Sequence, residues 1–127
     1  MRFHTAVNKF CWEAVFKERI PVWETALNQV RPYLALEDAT QAIIHSIDNR
    51  NMTGGIYNVV TNNSTVQEIV SIIQEYKPSV KTSLIKSAIM NSLSYSVSCQ
   101  KICSTGFQPA GSLKNSIYET MKILGGL

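Results

Sequence analysis

The sequence lacks a long apolar run and is poor in cysteine, and both features narrow the class of protein. The sequence of 127 residues contains no uninterrupted apolar stretch of about 18 residues, the length that a transmembrane helix needs. The N-terminus also lacks the apolar segment of a secretory signal. Its three cysteines cannot all pair within one chain and are too few for a disulfide framework. We therefore expect a cytoplasmic protein with reduced thiols and no membrane partner.

Clusters of metal ligands and of basic residues are absent as well. Cys99 and Cys103 are close enough in sequence to share a helix face, but no histidine or third cysteine follows that would complete a tetrahedral zinc site. No acidic cluster lies between His4 and His45. The formal net charge of +3 comes from scattered lysines and arginines, which disfavours a nucleic-acid partner. We predict no metal site and interpret the cysteines as small hydrophobic residues.

What the chain does contain is typical of one globular domain. Hydrophobic residues make up 45% of the sequence and charged residues 17%, a composition that supports a single core. No internal repeat or low-complexity linker interrupts it. Residues 1–127 are therefore predicted to form one domain.

Hydrophobic periodicity predicts the elements of the first half. A helix is expected over residues 4–19, ended by Pro21, and a short strand over 20–24. A second strand begins at Arg31, and the Glu37-Asp38 step is expected to cap a helix over 38–49. The small and apolar residues of that helix form one predicted core face, made of Ala39, Ala42, Ile43, Ser46 and Ile47. An arginine at the start of such a strand would place a phosphate-binding charge beside the turn.

The second half alternates in the same way. A buried strand is predicted over 56–60, and Ser64 or Thr65 caps a helix that runs to Tyr76, because both registers fit a capping box. An extended segment covers 80–85, the serine-rich stretch 86–98 is mostly loop, and a short helix over 99–104 ends at Gly106. Ser112 caps a last helix.

This order of helices between strands predicts an α/β fold with a small mixed or parallel sheet of short strands. A sheet so small would leave an apolar face in search of a partner. One functional interpretation is therefore a non-catalytic interaction module that dimerises or binds another protein.

Several short motifs occur in a set order and carry a second interpretation. They are a helix around Val7–Val15, the strand Ile20-Pro21-Val22, the block Arg31–Ala39, the strand Gly55–Asn58, the helix start Thr65–Glu68 and the element Gly106–Leu113. This series resembles the C-terminal half of the extended short-chain dehydrogenase/reductase family, the NAD-dependent nucleotide-sugar epimerases and dehydratases.

The resemblance implies a substrate-binding lobe that lacks the main Rossmann domain. It implies that Arg31 contacts the pyrophosphate of a nucleotide-diphosphate sugar, such as a UDP-sugar, and that Asn58 lies at or near the nucleotide. Asn8 is a weaker candidate on the first helix. The family's aspartate after the arginine is Pro32 here and its later Arg-x-Asp element is missing, so Tyr95 is a candidate to contribute a hydroxyl in that region. The alternative for Arg31 is a structural arginine that neutralises Glu37 or Asp38, and the alternative for Asn58 is a residue that satisfies backbone groups at a strand end.

The family's catalytic elements are not found in this sequence. No Gly-x-x-Gly-x-x-Gly turn is present, and the Tyr118-x-x-x-Lys122 spacing lies at the C-terminal end, whereas the family's pair precedes the whole region. We therefore predict that this chain has no catalytic residue and binds no cofactor. NAD(P) is implied for the complete enzyme, whose N-terminal Rossmann half would be supplied in cis or in trans.

Overall fold

The computed structural model describes residues 5–52, 54–86 and 94–125. Its helices are α1 (Ala6–Lys17), α2 (Leu36–Asp48), α3 (Val66–Tyr76), α4 (Gln100–Cys103) and α5 (Leu113–Ile123). Its strands are β1 (Arg19–Trp23), β2 (Val30–Tyr33), β3 (Asn62–Thr65) and β4 (Lys81–Ile85). Short 3-10 turns cover Glu24–Ala26 and Arg50–Met52. Among the described residues, no helix has the length and apolar character that crossing a membrane requires.

The strands form two separate pairs. β1 pairs in parallel with β4, which places Val22 opposite Leu84, and β2 pairs antiparallel with β3, which places Arg31 opposite Ser64. The α/β class is confirmed, including the parallel pairing across helical connections. The Thr61 N–H also donates to the Tyr33 carbonyl at 2.9 Å, next to the antiparallel pair.

The main core lies between β1 and the helices α1, α3 and α5. Its buried side chains are Phe10, Cys11, Ala14, Ile20, Val22, Val66, Ile69, Val70, Ile73, Val80, Leu113, Ile117 and Met121. In each of these three helices, the buried apolar residues recur at helical spacing. Fully burying one side chain of this size stabilises a fold by about 1.5–3 kcal/mol, so this core supplies most of the hydrophobic stabilisation. A smaller cluster contains Ala42, Ile102 and Phe107.

The N-termini of α3 and α5 and the end of α4 follow the predicted capping chemistry. Thr65 rather than Ser64 is the N-cap of α3: its hydroxyl accepts from the Glu68 N–H at 3.1 Å, and the Glu68 carboxylate accepts from the Thr65 N–H at 2.8 Å. Ser112 caps α5 by accepting from the Asn115 N–H. Gly106 has a φ of +97° after α4, a conformation that glycine adopts without strain.

The face predicted for α2 is wrong, because it is not the side of the helix that packs inward. Ala42 is buried, but Ile43 is 61% exposed and Ile47 75% exposed. The Glu37-Asp38 step does not cap the helix either, because the N-cap is Ala35 and its side chain makes no capping bond. Asp38 is instead buried. Its burial determines which side of α2 points inward.

The strand predicted over 56–60 is also absent from the described structure. The strand lies later, at β3, immediately before α3. Strand composition produces a strand only where a neighbouring strand can pair with it, and no described strand lies alongside 56–60. Of the predicted loop over 86–98, residues 87–93 lie outside the described residues, as does His4.

Glu13 is the unexpected member of α1. It is an acidic residue, yet it is buried, and its Oε2 has no hydrogen-bond partner among the described residues. Its other oxygen lies 3.8 Å from the Lys17 ammonium. Glu13 follows Phe10 by three residues, which places it only about 60° from that core residue around the helix.

Candidate functional site

Asp38 anchors the start of α2 to the segment that precedes α5. The residue is 1% exposed. Its Oδ2 accepts from the Thr61 hydroxyl at 2.5 Å, and its Oδ1 accepts from the main-chain N–H groups of Ala110 and Gly111 at 2.9 and 2.8 Å. Burial raises the pKa of this carboxyl, but the bonds from Thr61, Gly111 and Ala110 outweigh burial and lower it below its usual value. The anchor therefore stays charged near neutral pH.

Arg31 lies in β2 and is half-buried. Its Nη2 donates to the Gln29 Oε1 at 3.0 Å and its Nη1 contacts the Val30 carbonyl at 3.3 Å. Within the described residues it forms no ion pair, so it does not neutralise Asp38, whose oxygens are bonded elsewhere. A guanidinium has five N–H donors. Among the described residues, no acceptor other than Gln29 and Val30 bonds to these donors.

The segment 94–97 brings Tyr95 against Arg31. The Tyr95 N–H donates to the Val30 carbonyl at 3.1 Å, and the Val30 N–H donates to the Ser94 hydroxyl at 3.0 Å. The Arg31 Cζ then lies 5.3 Å from the centre of the exposed Tyr95 ring, within the range of a cation–π contact. The structure thus brings together two of the predicted site residues, with the ring face of Tyr95, rather than its hydroxyl, against Arg31.

A cleft of about 920 Å³ opens beside β2, between α1 and α5. Asn8, on the first turn of α1, and Tyr33, at the end of β2, both line it. Its other lining residues include Pro32, Leu36, Leu113, Asn115, Ser116, Glu119, Thr120 and Ile123. Its walls therefore combine apolar surface with hydroxyl and amide groups.

Arg31 is not among the residues that line this cleft, but it lies close to Tyr33, which is. Because alternate residues of a strand point to the same side, Arg31 and Tyr33 share one face of β2. Burial raises the pKa of Tyr33, and the positive charge of Arg31 offsets part of that rise. A cation therefore lies near one residue of this partly apolar cleft, and Asn8 lines the cleft from α1.

Asn58 is placed apart from these residues. It is exposed on the segment 54–60 and, in the part of the chain that the structure describes, makes no hydrogen bond. The expectation that it satisfies backbone groups at a strand end is wrong, since 56–60 is not a strand.

His45 and Tyr118 have structural contacts. His45 Nε2 lies 2.8 Å from the Thr105 hydroxyl, and its ring packs 5.6 Å from that of Phe107. Tyr118 packs against Tyr76 with ring centres 5.3 Å apart. Over residues 5–52, 54–86 and 94–125 no group of three His, Cys, Asp or Glu side chains could hold a metal ion. The sequence analysis did not predict the bonds that Asp38 makes with distant residues. The one available signal would have been an acidic residue that pairs with a glycine-containing turn far along the chain.

Comparison with solved structures identifies the fold. No family model and no curated protein matches the sequence. Among solved structures, an NAD-dependent NDP-hexosamine 5,6-dehydratase is similar with a TM-score of 0.79 and 13% identity, over 99% of this chain and 42% of the other. The dTDP-glucose 4,6-dehydratase of Bacillus anthracis has a TM-score of 0.80 and 18% identity, over 98% of this chain and 40% of the other. The ADP-L-glycero-D-manno-heptose-6-epimerase of Helicobacter pylori has a TM-score of 0.76 and 21% identity, over 95% of this chain and 38% of the other.

These structures are solved for enzymes that are much longer than this chain. The chain spans 38–42% of their length while matching nearly all of its own. The chain therefore has the fold of the C-terminal part of NAD-dependent nucleotide-sugar epimerases and dehydratases, the extended short-chain dehydrogenase/reductase fold.

Proposed function

We propose that this chain binds the nucleotide-diphosphate sugar of an NAD(P)-dependent epimerase or dehydratase and does not catalyse the reaction alone. The observation that carries the proposal is the charge of Arg31, which no described carboxylate neutralises and which lies near Tyr33, a residue of the cleft beside β2. Substrates of this class carry two linked phosphates, for which a guanidinium with free donors is a suitable partner.

The site residues have distinct proposed roles. The Gln29 bond holds the guanidinium of Arg31 in place, which leaves its other donors to bind the pyrophosphate. Tyr95 packs against the guanidinium and can offer its hydroxyl to the same ligand. Asn8 contacts the substrate from the α1 side of the cleft, and Asn58 lies near the nucleotide.

The described residues do not fit an NAD(P) site. Binding a dinucleotide pyrophosphate requires a glycine-rich turn that leads from a strand into a helix. The described glycine that precedes a long helix is Gly111, and its N–H already donates to the Asp38 carboxylate. No step of the reaction is therefore assigned to a cofactor held by this chain. We propose that a complementary N-terminal Rossmann half, in cis or in trans, binds NAD(P) and supplies the proton-transfer groups.

The finer assignments follow from the same proposal. We infer a cytoplasmic enzyme, with epimerisation as one candidate reaction and UDP-sugars as one candidate class of substrate. The Tyr118 and Lys122 pair takes no part in it, because Tyr118 packs against Tyr76 and both residues belong to the last helix.

A titration of the chain with UDP-N-acetylglucosamine and dTDP-glucose, followed by amide NMR, tests the proposal. Binding to the proposed site should shift the amides of Asn8, Arg31 and Tyr33 in a saturable way, while the distant amides of Arg50–Met52 stay unchanged. Free N-acetylglucosamine, which lacks the phosphates, is the matched control and should produce no such shifts. Saturable shifts confined to other elements, or none at all, would contradict the proposed site.

The second candidate function is the interaction module that dimerises or binds a protein. The exposed aliphatic side chains of α2 favour it. Size-exclusion chromatography with light scattering tests this candidate. A concentration-dependent dimer would support it, and a monomer at millimolar concentration would contradict self-association.

A further inference from the structure

Two thiols lie next to each other on the short helix α4. Cys99 is the N-cap of this helix and Cys103 is its last residue. The Cys103 N–H donates to the Cys99 carbonyl at 3.0 Å, which places the two side chains one helical turn apart on the same face. The Cys103 thiol contacts the Cys99 sulfur at 3.4 Å. Both side chains are half-buried, so the pair is partly open to solvent.

The helical turn does not suit a disulfide between these two residues. A disulfide needs Cβ atoms about 3.5–4.5 Å apart, whereas residues four apart on a helix have Cβ atoms separated by about 5–6 Å. Closing the bond would therefore break the turn that the main-chain bond between Cys103 and Cys99 stabilises. The turn instead holds the two sulfurs at a separation that suits an atom bridging them.

A bridging metal ion requires a sulfur separation close to the observed one. Two thiolates on one tetrahedral metal, with metal–sulfur bonds of about 2.3 Å, lie about 3.8 Å apart. Two thiolates on a linear, two-coordinate ion with bonds of the same length lie about 4.6 Å apart. The observed distance is 3.4 Å. Small rotations of the two side chains about χ1 reach either value without moving the main chain.

The surroundings of the pair are apolar and rich in sulfur. Cys99 and Cys103 pack against the small cluster that contains Phe107, and Met52, whose thioether is a further soft group, packs against the same cluster. Sulfur ligands suit copper(I), zinc and iron–sulfur clusters. Zinc sites and iron–sulfur clusters need four ligands, and over the described residues no third His, Cys, Asp or Glu side chain joins the two thiols. A soft ion that accepts two or three sulfur ligands suits this set.

We propose that Cys99 and Cys103 form a binding site for a soft monovalent metal ion of the copper(I) class. When the ion binds, each thiol releases its proton to the solvent and forms one metal–sulfur bond. The oxidation state of the ion does not change. This site is separate from the proposed nucleotide-sugar function, since neither thiol lines the cleft beside β2.

A competition titration under nitrogen tests the site, with the copper(I) complex of bicinchoninate as the probe. The wild-type chain should remove one equivalent of copper(I) from the coloured complex. Iodoacetamide should then fail to alkylate Cys99 in the copper-loaded chain, whereas it alkylates Cys99 in the copper-free chain. This protection is measured by mass spectrometry on the unmodified sequence, so it does not depend on the folding of any variant.

Substitutions distinguish a chelating pair from nonspecific binding to single thiols. C99S and C103S each remove one sulfur ligand. Because changes beyond the ligands of a metal site already weaken binding by about 10–100-fold, each variant should lower the affinity for copper(I) by about a hundredfold or more. The matched control, C103S/S104C, keeps the number of thiols but moves one of them by about 100° around the helix. It should bind copper(I) as weakly as C103S, and thermal unfolding without copper verifies that each variant is folded.

Three results would overturn the proposal. Equal removal of copper(I) by wild type and C99S, or by wild type and C103S/S104C, would show that the pair does not chelate the ion. Alkylation of Cys99 at the same rate with and without copper(I) would place the ion elsewhere. Oxidised glutathione can take up the two hydrogen atoms of the thiols and become two reduced molecules. If it closed a Cys99–Cys103 disulfide while α4 stayed helical, the pair would belong to thiol–disulfide exchange instead.

Discussion

At the scale of single residues, two charged groups with different surroundings define this protein. Asp38 is fully enclosed and receives three hydrogen bonds, so its charge is used within the fold. Arg31 is half-buried and meets an amide, a carbonyl and an aromatic ring, with no described carboxylate. A charge satisfied internally stabilises structure, whereas one held in place without a counter-ion is available to an anion.

The D38N substitution should destabilise the chain by about 1.5–3 kcal/mol at pH 7, because hydrogen bonds to a charged acceptor are lost. The folded pKa of Asp38 is lowered, so its contribution is complete above the unfolded value of about 3.9 and disappears as the pH falls through the folded pKa. Urea unfolding from pH 7 down to pH 3 measures both effects. D48N, at an exposed position of the same helix, is the control. An equal loss of stability in the two variants would contradict the anchor.

The thiol groups should differ in reactivity. Cys11 is fully buried, and burial raises its pKa to about 12. Cys99 and Cys103 are half-buried, with their sulfurs 3.4 Å apart, and the bond with Cys99 raises the pKa of Cys103. Alkylation by iodoacetamide at pH 8, followed by mass spectrometry, should modify Cys99 first and spare Cys11 until urea is added. Early modification of Cys11 would show that the main core is open.

At the scale of elements, some helices and strands follow from local sequence patterns, and others depend on contacts between residues that are distant in sequence. The helices α1, α3 and α5 could be predicted from the sequence because the residues that make their apolar faces and caps lie within a few turns. The inner face of α2 could not, since it is selected by Asp38 binding to Ala110 and Gly111. The absence of a strand over 56–60 depends on a missing pairing partner, which composition does not reveal.

The candidate site likewise depends partly on local motifs and partly on contacts between distant residues. Arg31 could be found from its motif, and its contact with Tyr95 could not, because the two are joined by a segment that returns to β2 from far along the chain. Asn8 was found as a candidate, but the cleft it borders is formed by α5, a helix from the other end of the sequence.

The capping register of α3 can be tested directly. T65A should destabilise the chain by about 0.5–2 kcal/mol, because it removes the hydroxyl that accepts from the Glu68 N–H. S64A removes the hydroxyl of the neighbouring residue, which also fits the sequence motif, and should have less effect. Chemical denaturation of the two variants decides between the registers. A larger loss in S64A would contradict the observed cap.

At the scale of the whole molecule, the hydrophobic residues of the described chain are distributed unevenly. The main core between β1, α1, α3 and α5 buries large aliphatic residues, whereas the cluster beneath α2 is small and Ile43, Ile44 and Ile47 of that helix are exposed. The fold matches about two fifths of the length of the compared enzymes.

The affinity of the chain for a nucleotide-diphosphate sugar, compared between wild type and R31A, tests the central claim most directly. Losing a charged hydrogen bond to the pyrophosphate should raise the dissociation constant for the sugar that binds best by a factor equivalent to about 1.5–3 kcal/mol. R50A removes an exposed arginine from the turn after α2 and should leave the constant unchanged. The account predicts a selective loss of binding in R31A; equal dissociation constants for wild type and R31A would contradict it.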